Sequence, residues 1–189
     1  MRKLSVIIGS TRPGRVGLPV GTWFFERAQL HGKFDVKLVD LVEQDLPLLN
    51  EAKHPRLGDY AHEHTKRWSR LIAESDAFVF VTPEYNFSAP PALLNAIDYL
   101  YAEWAYKPAA FVSYGGVSGG IRAVQMLKQP LISMKVVGIP EAVSIQMVAK
   151  QIENGALKSS EALEKAAVTM LDELLRWADA LAVLRQPST

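Results

Sequence analysis

AFVFVTPEYN, residues 77–86, decides how the rest of the chain is read. Its opening residues are apolar without interruption, the pattern of a strand buried on both faces of a parallel sheet rather than one with a wet side. Pro83 has no amide hydrogen to give to a neighbouring strand and stops the run. Upstream, KLSVIIGS (3–10) repeats the buried pattern, and downstream KPAAFVSYGGVSGG (107–120) does so again before running into glycines. FDVKLVDL (34–41) alternates apolar and polar residues and is expected nearer the sheet edge. A fifth strand, split in two, is expected from KVVGI (135–139) and AVSIQM (142–147).

Helical patterns fill the gaps. LPVGTWFFERAQL (18–30) follows the first strand, and Tyr60 to Ser75 carries Trp68, Leu71 and Ile72 on one side. PPALLNAIDYLY (90–101) has proline in its first turn, where a missing amide costs nothing. IRAVQMLKQPLISM (121–134) is expected to kink or end at Pro130. Ser160 to Leu184 is a long closing helix with a capping-box-like start, SSEALE, and Leu163, Ala166, Met170, Leu174, Trp177 and Leu181 as its core residues. Leu46 to Gly58, with two prolines and a glycine, is a loop. Alternating strands and helices with short connections predict one α/β domain over residues 1–189, its parallel sheet covered on both faces.

Ligands of such sheets bind at the carboxyl ends of the strands. In a 2-1-3-4-5 strand order, three unusual strand ends become neighbours. GSTRPGRVG (9–17) has Walker-like glycine spacing, but Arg15 and Val16 stand where Lys and Ser/Thr are needed, so there is no hydroxyl for magnesium. Ser10 and Thr11 also break a dinucleotide fingerprint. Hydroxyls, amides, a helix N-terminus and arginine remain, a set suited to a phosphate monoester bound without metal. The plain alternative is a glycine-rich turn with solvated arginines. Glu84, Tyr85 and Asn86, ahead of Pro90 and Pro91, either grip a flat heterocycle or form an ordinary turn with Asn86 or Ser88 capping a helix. Gly115, Gly116, Gly119 and Gly120 let backbone approach a ligand, or make a flexible loop, and Ser113 and Tyr114 could reach a ring from the other side.

The rest is mainly exclusion. With 21 basic and 20 acidic side chains, the net charge of +1 gives no reason to expect a nucleic-acid surface. The absence of cysteine excludes disulfides, thiolate nucleophiles and iron–sulfur clusters. The N-terminal apolar run is too short for a signal peptide and no later run spans a membrane, so a cytoplasmic protein without membrane insertion is expected. His62 and His64 stand two apart and do not share a helix face, which makes a metal pair a poor reading, and His31 and His54 read as surface residues. No Ser-His-Asp arrangement is traceable, and Glu84 and Asp98 show no marks of an acid–base pair.

Taken together, GSTRPGRVG, TPEYNFSAPPALLNAIDYL and SYGGVSGG resemble the NADPH-dependent FMN reductase family, which includes quinone, chromate and azo-dye reductases. The motif resemblance runs from the first strand to about Met126; beyond it the match is one of architecture. It implies a flavodoxin-like three-layer sandwich with sheet order 2-1-3-4-5, FMN as cofactor and NADPH or NADH as co-substrate. Ser10, Arg12, Arg15, Val16 and Gly17, with Thr11 in the same loop, would hold the FMN phosphate. Members often carry a small residue or asparagine where Val16 and Gly17 stand, so contacts there would be mainly through backbone amides. Pro83, Glu84, Tyr85 and Asn86 would border the isoalloxazine, and Ser113, Tyr114, Gly115 and Gly116 would complete the ring site.

The resemblance also implies ping-pong hydride transfer from NAD(P)H through the flavin to a quinone-like acceptor, with no side chain needed as a catalytic acid or base. Arg15 or Arg122 is a candidate for the NADPH phosphate. A homodimer or homotetramer with the flavin near its interface is expected, with Tyr101, Trp104 and Tyr106 as interface candidates unless Trp104 is core. The rival reading is an FMN-binding electron carrier; such carriers tend to be strongly acidic, and the net charge of +1 weighs against it.

Overall fold

The structure is a computed structural model that describes residues 1–185. Five parallel strands form the sheet: β1 (Arg2–Ile8), β2 (Phe34–Asp40), β3 (Ala77–Pro83), β4 (Pro108–Tyr114) and β5 (Val137–Ile145), in the order β2-β1-β3-β4-β5. The helices are α1 (Gly17–His31), α2 (Leu41–Gln44), α3 (Glu63–Glu74), α4 (Pro91–Asp98), α5 (Ile121–Ser133) and α6 (Glu161–Ala182). This is the flavodoxin-like order expected from the sequence. No described helix is long and apolar enough to cross a membrane.

Strand alternation sorts the core into two layers. Val79 and Val81 of β3 face α1 and α6, where Phe24, Met170 and Leu174 meet them. Phe78 and Phe80 face the other layer, where Trp68, Leu93, Ile97 and Leu127 come from α3, α4 and α5. Trp104 completes that layer, fully buried, edge-on to Phe78 at 4.8 Å between centroids and donating Nε1–H to the Ile97 carbonyl at 3.1 Å. It is therefore core and not an interface residue. Tyr101 and Tyr106 precede β4 and so lie toward the amino end of the sheet, opposite the rim expected to bind ligand.

Several expectations change. β5 is one strand through Pro140, not two: between the Ala109–Gly138 and Phe111–Ala142 pairs it carries extra residues as a bulge, which an edge strand accommodates. α5 does not end at Pro130, which lies in its last turn, but continues to Ser133. In α6 the buried stripe is Ala167, Met170, Leu171, Leu174 and Ala178, so Trp177 lies off it and is 37% exposed. Ser160 does cap α6, accepting from the Leu163 amide at 3.3 Å, but Glu164 accepts from Trp23 Nε1 rather than closing a capping box. His31 is not a surface residue; its side chain is 5% exposed, stacked on Phe34 and bonded to Asp172. A small hairpin, β6 (Ile152–Glu153) and β7 (Ala156–Leu157), turns at Asn154 and Gly155, both with positive φ.

α3 starts at Glu63, three residues later than the pattern suggested, because the amides of Ala61 and His62 are bonded to the Glu51 carboxylate at 2.8 and 3.1 Å. Burial would raise this carboxyl, but the donors outweigh it and hold it at about 2 instead of 4.5. A folded-state value below the unfolded one contributes stability above the unfolded value and loses it as pH falls toward the folded one. Glu51→Gln should therefore melt below wild type at pH 7, with the gap closing as the buffer is taken from about 4.5 toward 2 in a thermal-melt series.

Candidate active site at the carboxyl rim

β1 leaves the sheet at Gly9, whose amide donates to the Val81 carbonyl at 2.9 Å. Ser10 is fully buried, and its hydroxyl lies 2.8 Å from that of Tyr85 in the loop after β3. Thr11 and Arg12 are exposed, and a turn bond from the Arg15 amide to the Arg12 carbonyl closes the loop. Among the described residues Arg12 has no ion-pair or hydrogen-bond partner for its guanidinium, whereas that of Arg15 is paired with the Asp40 carboxylate. α1 then begins without a side-chain cap, so its leading amides face outward unsatisfied.

Gly17 opens that helix against Tyr114. A Cβ at Gly17 would lie 2.5 Å from the tyrosine hydroxyl. This hydroxyl is buried without a partner, and burial, then nearby Tyr85, holds it above the usual phenol value. Arg15 Nε is likewise buried and unpartnered. An uncapped helix N-terminus, orphaned buried donors and a free arginine make a set of donors whose chemistry suits a phosphate monoester. Beside the loop lies a cavity of about 280 Å³ lined by Thr11, Leu41, Val42, Asp45, Leu46, Ala92 and Ala96.

The loop after β3 is a tight hairpin. Tyr85 and Ser88 exchange backbone hydrogen bonds at 2.8 and 2.9 Å, with Asn86 at φ +50° and Phe87 at φ +68° between them. Asn86 is thus a turn residue of type I′ character rather than a helix cap, and α4 has no side-chain cap. Phe87 is 68% exposed, with the Arg122 guanidinium 4.1 Å from its ring centre. Glu84, following the buried Pro83, accepts from Ser118 Oγ at 3.0 Å and from the Arg122 amide and side chain at 3.1 and 2.6 Å. Burial would raise its carboxyl; these donors outweigh that and hold it below the usual value.

The glycine loop after β4 is fixed from within. Ser113 Oγ donates to the Gly119 carbonyl at 2.7 Å, and Ser144 Oγ to the same oxygen at 3.1 Å. Gly115 and Gly116 accept from the Val148 and Met147 amides. Ser113 and Tyr114, adjacent on β4, face opposite sides of the sheet. The structure thus joins Ser10 to Tyr85, Gly17 to Tyr114, and Glu84 to the glycine loop, while the Ser113 hydroxyl is committed to the loop. Arg15 and Arg122 are both committed to carboxylates. His62 and His64, at the start of α3, are stacked on each other and bonded through Nε2 to the two oxygens of Asn50. Sequence reading missed Asp40, whose only signal is an acid ending an alternating strand, and Phe87, whose aromatic side chain gives no hint of a positive φ.

The family described as NADPH-dependent FMN reductase matches residues 2–150. An NAD(P)H-dependent FMN reductase of Schizosaccharomyces pombe is 44% identical over 126 residues, a match spanning 66% of this chain and 63% of that protein. A quinone reductase of Pseudomonas putida is 36% identical over 147 residues, spanning 74% of this chain and 75% of its own. Among solved structures, FerB from Paracoccus denitrificans, a flavoenzyme NAD(P)H:(acceptor) oxidoreductase, superposes with a TM-score of 0.69 at 27% identity, over 95% of this chain and 98% of that one.

Gly120 has φ +84°, and a Cβ there would lie 2.9 Å from Tyr114 backbone nitrogen and oxygen, whereas one at Gly116 meets open space. Gly120→Ala should cost about 1–3 kcal/mol in urea denaturation, and Gly116→Ala should leave the midpoint within about 0.5 kcal/mol of wild type.

Proposed function

The chain belongs to the NADPH-dependent FMN reductase family, an FMN-dependent NAD(P)H oxidoreductase by that membership, and we propose that its carboxyl rim from Ser10 to Gly116 is the flavin site. The observation that carries the placement is the uncapped start of α1, with the buried, unpartnered Tyr114 hydroxyl aimed at it and Arg12 free beside it. Ser10, Thr11, Arg12 and the amides from Val16 onward would receive the phosphate, with Gly17 keeping the approach open. Pro83, Glu84, Tyr85 and Asn86 would border the ring from one side, and the backbone of Gly115 and Gly116 from the other.

Bound there, FMN supplies hydride chemistry between NAD(P)H and an electron acceptor in a ping-pong cycle. The protein's own residues bind and orient. Glu84 is kept ionised and occupied by Arg122 and Ser118, so it offers no proton at the rim. No other side chain of the rim is placed as an acid or base in this reading. The acceptor is quinone-like, in line with the quinone reductase relative. A cytoplasmic homodimer or homotetramer completes the proposal.

Flavin fluorescence quenching should show FMN binding at least about tenfold tighter than riboflavin, the difference being the phosphate contacts. Under anaerobic conditions NADPH or NADH should bleach the yellow protein, and a quinone should restore the colour. Equal affinity for riboflavin would remove the phosphate site from this loop; a flavin unreduced by either nucleotide would leave an electron carrier.

A further inference from the structure

Two arginines stand in the loop between β1 and α1, and only Arg12 has its charge to give. Arg15 meets Asp40 with both side chains nearly buried, at 15% and 10% exposure. Asp40 is the last residue of β2, in register beside Ile8, the last residue of β1. Its other carboxylate oxygen accepts from the Val42 amide at 3.0 Å and so caps α2. One side chain therefore ties the far end of the loop to the end of the adjacent strand and to the start of the next helix. The near end is tied separately, by Gly9 to Val81 and by Ser10 to Tyr85.

We propose that the Asp40–Arg15 pair is a brace that sets the conformation of the phosphate loop, so that both are positioning residues and Arg12 is the cation that meets the anion. This rests on the loop being the phosphate site. A dianionic phosphate attracted to Arg15 would approach the Asp40 carboxylate as well, and a buried pair has little net charge to offer. What Arg15 retains toward the loop is its unpartnered Nε–H, one donor in a neutralised pair. Arg12, exposed and unpaired among the described residues, is free to follow the ligand.

The opposite assignment makes opposite predictions for the same variant, which gives the test. Dissociation constants for FMN and riboflavin are measured by fluorescence quenching over a salt series for Asp40→Asn, Arg15→Gln, Arg12→Gln and the Asp40→Asn/Arg15→Gln double variant. Asparagine retains an oxygen for the Val42 amide, so the α2 cap survives, and unchanged riboflavin binding checks that each variant is folded. On the brace reading, Asp40→Asn and Arg15→Gln each weaken FMN about ten- to hundredfold, the double variant is no worse than the weaker single, and both singles keep the wild-type salt slope. Arg12→Gln weakens FMN and flattens that slope. Tighter FMN binding by Asp40→Asn, as a released Arg15 would give, overturns the brace. So does an Arg15→Gln variant with unchanged affinity or a flattened slope. Wild-type protein that binds riboflavin as well as FMN would instead overturn the phosphate site on which the brace rests.

Discussion

Two glycines one helical turn apart set how closely α1 lies on the sheet. A Cβ at Gly17 would collide with the Tyr114 hydroxyl, and one at Gly21 would lie 2.6 Å from Ile8 Cγ1. Positions four apart share a helix face, so the pair makes a flat strip along which α1 settles onto Ile8 of β1 and the Tyr114 side chain that reaches over from β4. That approach carries the start of the helix to the carboxyl edge of the sheet, beside the ends of β1 and β4. It also traps the Tyr114 hydroxyl against the helix start without an acceptor. A buried donor in that state costs stability unless something supplies its hydrogen bond. On the proposed reading the phosphate would supply that bond, so the contact that packs the helix would also create the need the ligand meets.

Charge at the rim is arranged in pairs rather than as a field. Arg15 with Asp40 and Arg122 with Glu84 cancel locally, in keeping with a chain whose net charge is only +1. On the proposed reading, the exposed Arg12 guanidinium adds to donors that are already fixed, the first amides of α1 and the buried Ser10 hydroxyl. Such donors act at short range and are ordered in advance, so little of their interaction energy is lost to arranging them.

The parallel sheet was legible because buried strands read as short, nearly unbroken apolar runs bounded by turn residues, as in AFVFVTP and LSVIIG. Strand ends then located the rim, since topology puts them at one edge. What the sequence hid was pairing over distance. Asp40 is 25 positions from Arg15, and Arg122 is 38 from Glu84; each looked like a free charge. Ser113 and Tyr114 looked like a matched pair until strand parity sent them to opposite faces. Pro140 read as a break because nothing local says that β5 is an edge strand. The Asn154–Gly155 turn was a readable hairpin signal, but its flanking strands are two residues each, too short to show alternation.

The two sides of the rim differ in how firmly they are held. At the loop after β3, a positive φ at Phe87 costs on the order of 1–3 kcal/mol for a bulky residue. It is maintained by the Tyr85–Ser88 backbone pair below and the Arg122 stack above. Arg122 is in turn anchored by Glu84, which also holds Ser118 of the glycine loop. Strain, cation and carboxylate therefore join the loops after β3 and β4 into one unit, the side proposed for the ring. On the side proposed for the phosphate, Thr11 to Gly14 is exposed and crossed by a single turn bond, from the Arg15 amide to the Arg12 carbonyl. Its ends are fixed, at Ser10 by Tyr85 and at Arg15 by Asp40, while the tip between them carries the free arginine. If FMN binds as proposed, a preformed slot for its flat ring beside an adaptable tip for its phosphate would divide the work of binding: shape set on one side, and charge fitted on the other.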